Sequence, residues 1–542
     1  MEDGKKVHAE EIFKEFKEHS IAEFFKKNRQ MLGYSGMVRS LVTVVHEFVT
    51  NSLDACEEAN ILPEISVVVK EVGENKYNVT VTDNGPGIPK KFVGKALGTL
   101  LAGTKFHRYV QQRGQQGIGA AGALMFSQLT TGKQINVRAS TGGMGKAYSC
   151  KIAIDTRKNA PLITDIVDVD EDFRGTTIGA EFAEVKYENS DHGIYEYLKR
   201  TALANPHAEI RFTDPMGKEN VFIRAVNKIP AKPTPTQPHP LGLEVNDLLE
   251  FAHSSQSRKM SSFFVETFAR TTMNKVNELK ELDKTLDFEK SPHELNWPEA
   301  EALIKAIRQI KWIAPDANSI IPIGDEQIRV ALENILNPEF MHVVERKPRV
   351  FRGGIPFVIE AAVAYGGNSG AKTDEGHSGV VLRFANRVPL LFDTGNCAIT
   401  EAVRSIEWKR YGIDLDNQPI SIFVQMSSVH VPYSGVGKEA VAKEDEIIDE
   451  IKLAVMEAAR GVQQFIRGKQ KVAFEAGRYK TTMRYAHQLA KDLSELTGEK
   501  EERLESDLER LITKHYPHLK KIEEEQEEIA ATNGNGTENG EE

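Results

Sequence analysis

The sequence predicts an α/β protein of α+β character, assembled from several domains. Three observations carry that reading. An amphipathic helix near residue 45 shows an unusual polar column. Strand-like stretches alternate with glycine turns and further helices up to about residue 228. A proline-rich break then precedes a helical stretch, a second mixed α/β region and one long helix. At 542 residues the chain exceeds what one core can organise, and two to four domains are expected.

The helix comes first. Wound at ~100° per residue, residues 38 to 55 place Val38, Leu41, Val42, Val45, Phe48, Val49 and Leu53 on one side. Glu47, Asn51 and Asp54, at i, i+4 and i+7, fall on the other, with small Ser52 and Ala55 nearby. A solvated face would carry lysines and glutamates. A carboxylate, an amide and a second carboxylate in one column suit the floor of a polar pocket.

Lys76-Tyr-Asn-Val-Thr-Val-Thr-Asp83 alternates apolar and polar residues as a strand does, then runs into Asn84-Gly85-Pro86-Gly87-Ile88-Pro89. Asp83 therefore ends a strand, and Gly85 and Gly87 let the following turn approach a ligand closely. Further on, Arg113-Gly114-Gln115-Gln116-Gly117-Ile118-Gly119-Ala-Ala-Gly122 leads into apolar Ala123–Phe126. Glycines before a helix leave free N–H groups at a positive dipole end, which is how a phosphate is cradled. Each motif alone is weak, whereas the three in this order are specific. Gly435-Val-Gly437-Lys438-Glu439 is not a Walker loop, since it lacks the upstream glycine and the Ser or Thr after the lysine.

Strands at Ile65–Val69 and Ile135–Ala139 complete the sandwich pattern over residues 36–229. Pro230, Pro233, Pro235, Pro238 and Pro240 make a semi-rigid linker, and His239 beside them reads as structural. Residues 241 to about 312 read as short polar helices. From Ile320 the pattern is mixed again: a helix at 327–336, and strands at Phe357–Ala364, Ser378–Asn386 and Ile420–Met426. A long helix is expected to start near Glu439, with Ile447, Ile451, Val455, Ala458 and Val462 at helical spacing. Arg467, Lys469, Lys471, Arg478, Lys480 and Arg484 form the most basic run, read as a solvated face or a contact with DNA or a partner. The stretch from Glu523 is acidic and rich in Asn and Gly, which predicts disorder.

Composition excludes several classes. Net charge of −10 argues against broad nucleic-acid affinity by this chain alone. Cys56, Cys150 and Cys397 are too scattered for a disulfide framework or a zinc site. The N-terminus reads as charged and amphipathic, without a signal peptide, and no run approaches the ~20 apolar residues of a membrane span. A cytoplasmic protein with no membrane partner is expected.

The three motifs resemble those of the GHKL, or Bergerat-fold, ATPases, which implies ATP and Mg²⁺ as ligands. The resemblance implies Glu47 as the general base, Asn51 as the metal ligand and Asp83 as the acceptor from the adenine amino group. It implies a phosphate loop of Gly114, Gln115, Gln116, Gly117, Ile118 and Gly119, with Asp54, Gly85, Gly87, Lys105 and Thr176 also in the nucleotide site. Thr176 lies in Arg174-Gly-Thr-Thr-Ile178, which is similar to the last motif of that pocket.

The wider arrangement resembles the family of ATPase B subunits of archaeal-type (type IIB) DNA topoisomerase VI. Arg383-Phe-Ala-Asn-Arg-Val-Pro-Leu-Leu-Phe-Asp393, Trp408-Lys-Arg-Tyr-Gly412 and Val431-Pro-Tyr-Ser-Gly-Val-Gly-Lys-Glu439 carry the likeness. It implies a strap (1–35), a GHKL domain (36–229) and a linker with a helix-two-turns-helix domain (230–312). A transducer (313–470), a helical extension (471–522) and an acidic tail (523–542) follow. Lys438 then aligns with the switch lysine that reaches the γ-phosphate. The implied partners are double-stranded DNA, a second copy of this chain joined on binding ATP, and an A subunit with the cutting tyrosine and Toprim carboxylates, in an A2B2 assembly. An ATP-gated clamp or chaperone without strand passage would have the same pocket and stays open at this point.

Overall fold

The computed structural model describes residues 27–100, 110–114, 119–143, 145–156, 158–313, 315, 319–373, 376–435 and 437–515. Phe24, Phe25 and Lys26 of the expected strap, Lys105, Gln115, Gln116, Gly117 and Ile118, and the acidic tail lie outside the described residues. The chain divides into two compact units. One comprises Met1–Glu407 with Leu415–Ala458, the other Trp408–Asp414 with Ala459–Glu542.

The first unit opens with helix α1 (Met37–Glu58) and the hairpin β1 (Glu64–Gly73) and β2 (Lys76–Asp83), followed by short α2 (Val93–Leu97) and α3 (Gly119–Thr131). Strands β3 (Ile135–Thr141), β4 (Ala147–Asp155), β5 (Ala160–Val169) and β6 (Arg174–Ala183) come next, then α4 (Ile194–Ala204), β7 (Glu209–Thr213) and β8 (Glu219–Phe222). Together the strands form one sheet in the order β5-β4-β3-β6-β2-β1-β7-β8. Its neighbours are antiparallel except β1 and β7, which run parallel.

The core between this sheet and helices α1, α3 and α4 follows from the two periodicities. Leu41, Val45, Phe48, Val49 and Leu53 of α1 are buried, as is the near-continuous Ala121–Phe126 of α3. Each such aliphatic or aromatic side chain contributes about 1.5–3 kcal/mol on burial. In β2 the alternation buries Tyr77, Val79 and Val81, and the next step in phase is Asp83. The period that builds the core thus drives a carboxylate into it.

The helical stretch after the linker holds α5 (Val245–Ser254), α6 (Met260–Thr267), α7 (Met273–Leu282) and α8 (Trp297–Ile307). It is less polar inside than the sequence suggests. Phe263, Phe264, Phe268 and Phe288 are buried together, with Phe264 5.2 Å from Phe268 and 5.6 Å from Phe288 between ring centroids. Each short helix supplies only a few apolar residues, so no single periodicity announces this separate core. His239 caps the edge: its Nδ1 accepts from Leu241 N at 3.3 Å and its Nε2 pairs with Ile313 O at 3.0 Å.

The second mixed region starts with α9 (Asp325–Leu336). It continues through β9 (Phe340–Glu345), β10 (Arg349–Phe351), β11 (Ile355–Tyr365), the small hairpin β12 (Ala371–Thr373) and β13 (Gly376–Ser378), β14 (Val380–Ala385) and β15 (Val388–Pro389), then α10 (Ala398–Arg404) and β16 (Ile420–Ser428). The sheet order is β10-β11-β16-β14-β15, with β9 also on β11, and β14 runs parallel to β16. Strand β16 is buried throughout and β11 nearly so, with polar Ser421, Gln425, Ser427 and Ser428 of β16 and Glu360 of β11 buried along with the apolar residues. Leu203 and Ala204 of α4 share a core with Leu332 of α9 and Phe384 of β14, so α4 contacts both sheets' layers.

The long helix α11 (Asp445–Thr497) starts six residues later than expected from Glu439. Tyr433 bridges Val441, and Ser434 N donates to Ala440 O at 2.9 Å, so residues 433–441 close a loop before the helix begins. In the first unit Arg346 ties α11 down through Glu450 and Glu457, both at 2.7 Å. In the second unit α11 ends at Thr497, just before Gly498 with φ +75°, and α12 (Glu501–His515) follows. Tyr479, Ala486 and Ala490 are buried there.

Candidate nucleotide site

Asp83 anchors the site. Its Oδ1 accepts from Gly85 N at 3.0 Å and Thr176 N at 3.1 Å, and its Oδ2 accepts from Ser52 Oγ at 2.9 Å. Burial raises the pKa of this carboxyl, against the three donors that favour its charged form. Thr176 stands opposite Asp83 in the β2–β6 register, and Gly175, φ +128°, packs on the Asp83 carbonyl where no Cβ fits. Asn84 pins the following turn through Leu62 O at 3.0 Å and Glu64 N at 2.9 Å. Gly87, φ +70°, lies against the Ser140 carbonyl too closely for a side chain. The turn therefore needs glycine for contact with β3 as well as for conformation.

The polar column of α1 divides. Glu47 is half-buried and its Oε2 abuts Gly119, the first residue of α3, leaving no room for a Cβ there. A helix N-terminus attracts negative charge, so this carboxylate lies where an anion is favoured. Asn51 is exposed on the same face. Asp54 is engaged by a cation: its Oδ1 accepts from Arg113 Nη1 at 2.7 Å. Arg113 also reaches both oxygens of Glu57, at 2.8 and 2.6 Å, and Asn205 Oδ1 at 2.5 Å, while His207 Nε2 pairs with Glu57 Oε1 at 2.7 Å. The side chain of Arg113 is only 5% exposed. This guanidinium holds Glu57 well below the usual carboxylate range, overcoming the opposing effect of burial.

Arg113, Glu57, Asn205 and His207 were not legible as a group. Arg113 opens the glycine stretch, and an arginine beside a buried acidic column was the one available signal. The network continues outward: Asn205 Nδ2 donates to Arg387 O at 3.1 Å, and Gln111 exchanges two bonds with Ile321, at 2.9 and 2.6 Å. The root of the glycine loop is thereby fastened to the second mixed region. Gly114 is described there, while the loop residues 115–118 lie outside the described residues.

Lys438 lies on the loop before α11, with φ +54° and its N–H donating to Gly435 O at 3.1 Å. It lies outside α11, whose first residue is Asp445. His46 adjoins Glu47 on α1. Burial lowers the imidazole pKa, with Glu47 raising it and Lys438 lowering it further. The site thus brings Glu47, Asn51, Asp83, Gly85, Gly87, Gly119 and Thr176 around α1. Among the described residues no cluster of three or more His, Cys, Asp or Glu could hold a metal ion. No described helix is long and apolar enough to cross a membrane.

Comparison with known proteins fits this geometry. The family described as histidine kinase-, DNA gyrase B-, and HSP90-like ATPase matches residues 36–156, and the family described as topoisomerase VI B subunit, transducer, matches residues 315–478. The B subunit of type 2 DNA topoisomerase 6 from Pyrococcus abyssi is 43% identical, over 96% of this chain and 100% of that protein. This chain belongs to the family of type 2 DNA topoisomerase 6 B subunits. The corresponding proteins of Pyrococcus horikoshii, 43% identical over 93% of this chain and 96% of theirs, and of Methanothermobacter thermautotrophicus, 45% over 90% and 93%, agree. The family fold accounts for the two mixed layers described above, a GHKL ATPase domain and a transducer, and an ATPase domain of this family implies nucleotide binding.

Proposed function

We propose that this chain is the ATP-driven gate of its topoisomerase, with Glu47 as general base and Lys438 as the sensor of the γ-phosphate. Family membership makes the chain the ATP-hydrolysing subunit of a type II DNA topoisomerase, acting with an A subunit on DNA. The observation that carries the residue roles is the arrangement on α1. Ser52 of this helix holds Asp83, Glu47 abuts Gly119 at the start of α3, and Asn51 is exposed on the same face as Glu47.

In this reading Asp83 accepts from the adenine amino group, with Thr176, Gly85 and Gly87 shaping its surroundings. Residues 114–119 and Lys105 contact the phosphates. Glu47 takes a proton from the attacking water, the positioned base that phosphoryl transfer to water requires. Asn51 fits Mg²⁺, because that ion keeps most of its waters and takes few protein oxygens. When bound, the ion would neutralise phosphate charge. Asp54, engaged by Arg113 through Oδ1, belongs to the same nucleotide site.

The domain division follows the same reading: strap 1–35, GHKL domain 36–229, linker and helix-two-turns-helix domain 230–312, transducer 313–470, helical extension 471–522 and acidic tail 523–542. Two copies of this chain join on binding ATP, trap a duplex and drive two A subunits apart. A gate shifted from mostly open to mostly closed needs ~5.5 kcal/mol of differential nucleotide binding. The test is Glu47→Ala: light scattering should show dimerisation with a non-hydrolysable ATP analogue while phosphate release is abolished. Wild-type phosphate release in that variant would remove Glu47 as the base.

A further inference from the structure

The loop carrying Lys438 is closed at its base by the Tyr433–Val441 bridge and by Ala398 N donating to Val441 O at 2.9 Å. Its tip leans on the start of α1. Gly437 lies beside Gly33, whose carbonyl accepts from Thr43 Oγ1 at 3.0 Å. Glu439 is gripped by Arg39: Nε donates to Oε1 at 3.0 Å, and Nη2 reaches Oε2. The same Nη2 donates to Asp393 Oδ2 at 3.3 Å, and the guanidinium stands 5.1 Å from the Phe392 ring centroid. The glutamate side chain is 12% exposed and the arginine 23%, so solvent screens the pair only in part.

Arg39, Thr43 and Glu47 follow at i, i+4 and i+8 on one face of α1, with Arg39 about 12 Å from Glu47 along the axis. The residue that grips the loop and the candidate base therefore belong to one rigid helix. Glu439 adjoins Lys438, whose Cα is held about 3.8 Å away by the peptide link. Lys438 also sits in the left-handed region, φ +54°, which an L residue adopts only where its surroundings enforce it.

We propose that Arg39 is the positioning residue for Lys438: its two-point grip on Glu439 fixes the lysine's loop to the helix face that carries Glu47. Lysine and base then share one frame. The inference rests on the reading of Lys438 as the γ-phosphate contact and adds what aims it. A fork is needed because two parallel bonds fix the orientation of the carboxylate plane, which a single ammonium cannot do.

The test measures ATP turnover, KM for ATP and ADP affinity in the full chain for Arg39→Lys, Glu439→Gln and Lys438→Ala, and for each of the first two combined with the third. Arg39→Lys keeps the charge and Glu439→Gln keeps the shape, so both are expected to fold, and melting temperature checks this. Each should lower kcat about tenfold, equivalent to ~1.4 kcal/mol, with KM and ADP affinity within about twofold. Neither should lower kcat further once Lys438 is alanine, because residues acting as one unit are not additive. Unchanged kcat in both variants while Lys438→Ala is slow would overturn the role of Arg39 and leave the lysine reading intact. Losses that multiply in the double variants, or a parallel loss of ADP affinity, would overturn it too. Wild-type turnover in Lys438→Ala would instead remove the lysine reading, and the positioning role with it.

Discussion

Replacing Asp83 separates its structural task from its proposed recognition of adenine. In Asp83→Ala the amides of Gly85 and Thr176 lose their acceptors at 3.0 and 3.1 Å inside a buried site. Each orphaned buried donor costs about 1–3 kcal/mol, so the variant should lose roughly 2–6 kcal/mol of stability. Asp83→Asn keeps Oδ1 for both amides. Its new NH2 meets Ser52 Oγ, now 2.9 Å from Oδ2, and a hydroxyl can accept as well as donate. That exchange should cost no more than about 1 kcal/mol. Toward adenine the outcome reverses, because a donor replaces the acceptor that the amino group needs. Losing that bond and confronting two donors should weaken ATP by about 2–3 kcal/mol, or roughly 30–150-fold. Urea denaturation gives the first quantity and titration calorimetry with ATP the second. An Asn variant that binds ATP as the wild type does, or an Ala variant as stable as the Asn variant, would refute the reasoning.

Three other perturbations test the same geometry. Arg113→Met leaves Glu57 and Asp54 without their cation and should cost ~3–5 kcal/mol in urea denaturation, and a loss below ~1 kcal/mol would contradict the network. Gly119→Ala puts a methyl group onto the Glu47 carboxylate and should cut ATP turnover about a hundredfold, because small misplacements at a reacting centre are costly, with stability little changed; unaltered turnover would contradict it. Burial raises Glu360 from 4.5 to about 7, although Ile323 N and Gly324 N donate to it. A carboxyl with a raised folded-state pKa binds more protons folded than unfolded between those values. Its contribution to stability therefore falls as pH rises from 4.5 to about 7, and this component should be absent in Glu360→Gln when melting is followed across that range.

The parts of the site written in local periodicity were legible. The helical spacing of 38–55 gave the apolar face of α1 and the positions of Glu47 and Asn51, and the alternation of 76–83 carried Asp83 to a strand end. What depends on contacts between distant segments was not. Arg113 meets Asp54 and Asn205 across 59 and 92 residues, so nothing near any of them in the chain shows that they pair. The start of α11 lies later than the sequence suggests because residues 439–444 have helix-compatible composition, while the Tyr433–Val441 bridge just before the helix is non-local. The helical insertion reads as polar for a related reason. Phe263, Phe264, Phe268 and Phe288 converge from separate turns, and none of its short helices shows a full stripe.

The most direct measurement of the central claim is relaxation of negatively supercoiled DNA by this chain assembled with its A subunit, comparing wild type and Glu47→Ala with and without ATP. The account predicts ATP-dependent change in linking number for the wild type and none for Glu47→Ala, which still binds nucleotide. A complex that hydrolyses ATP through this site yet never changes linking number would contradict it and leave an ATP-gated clamp.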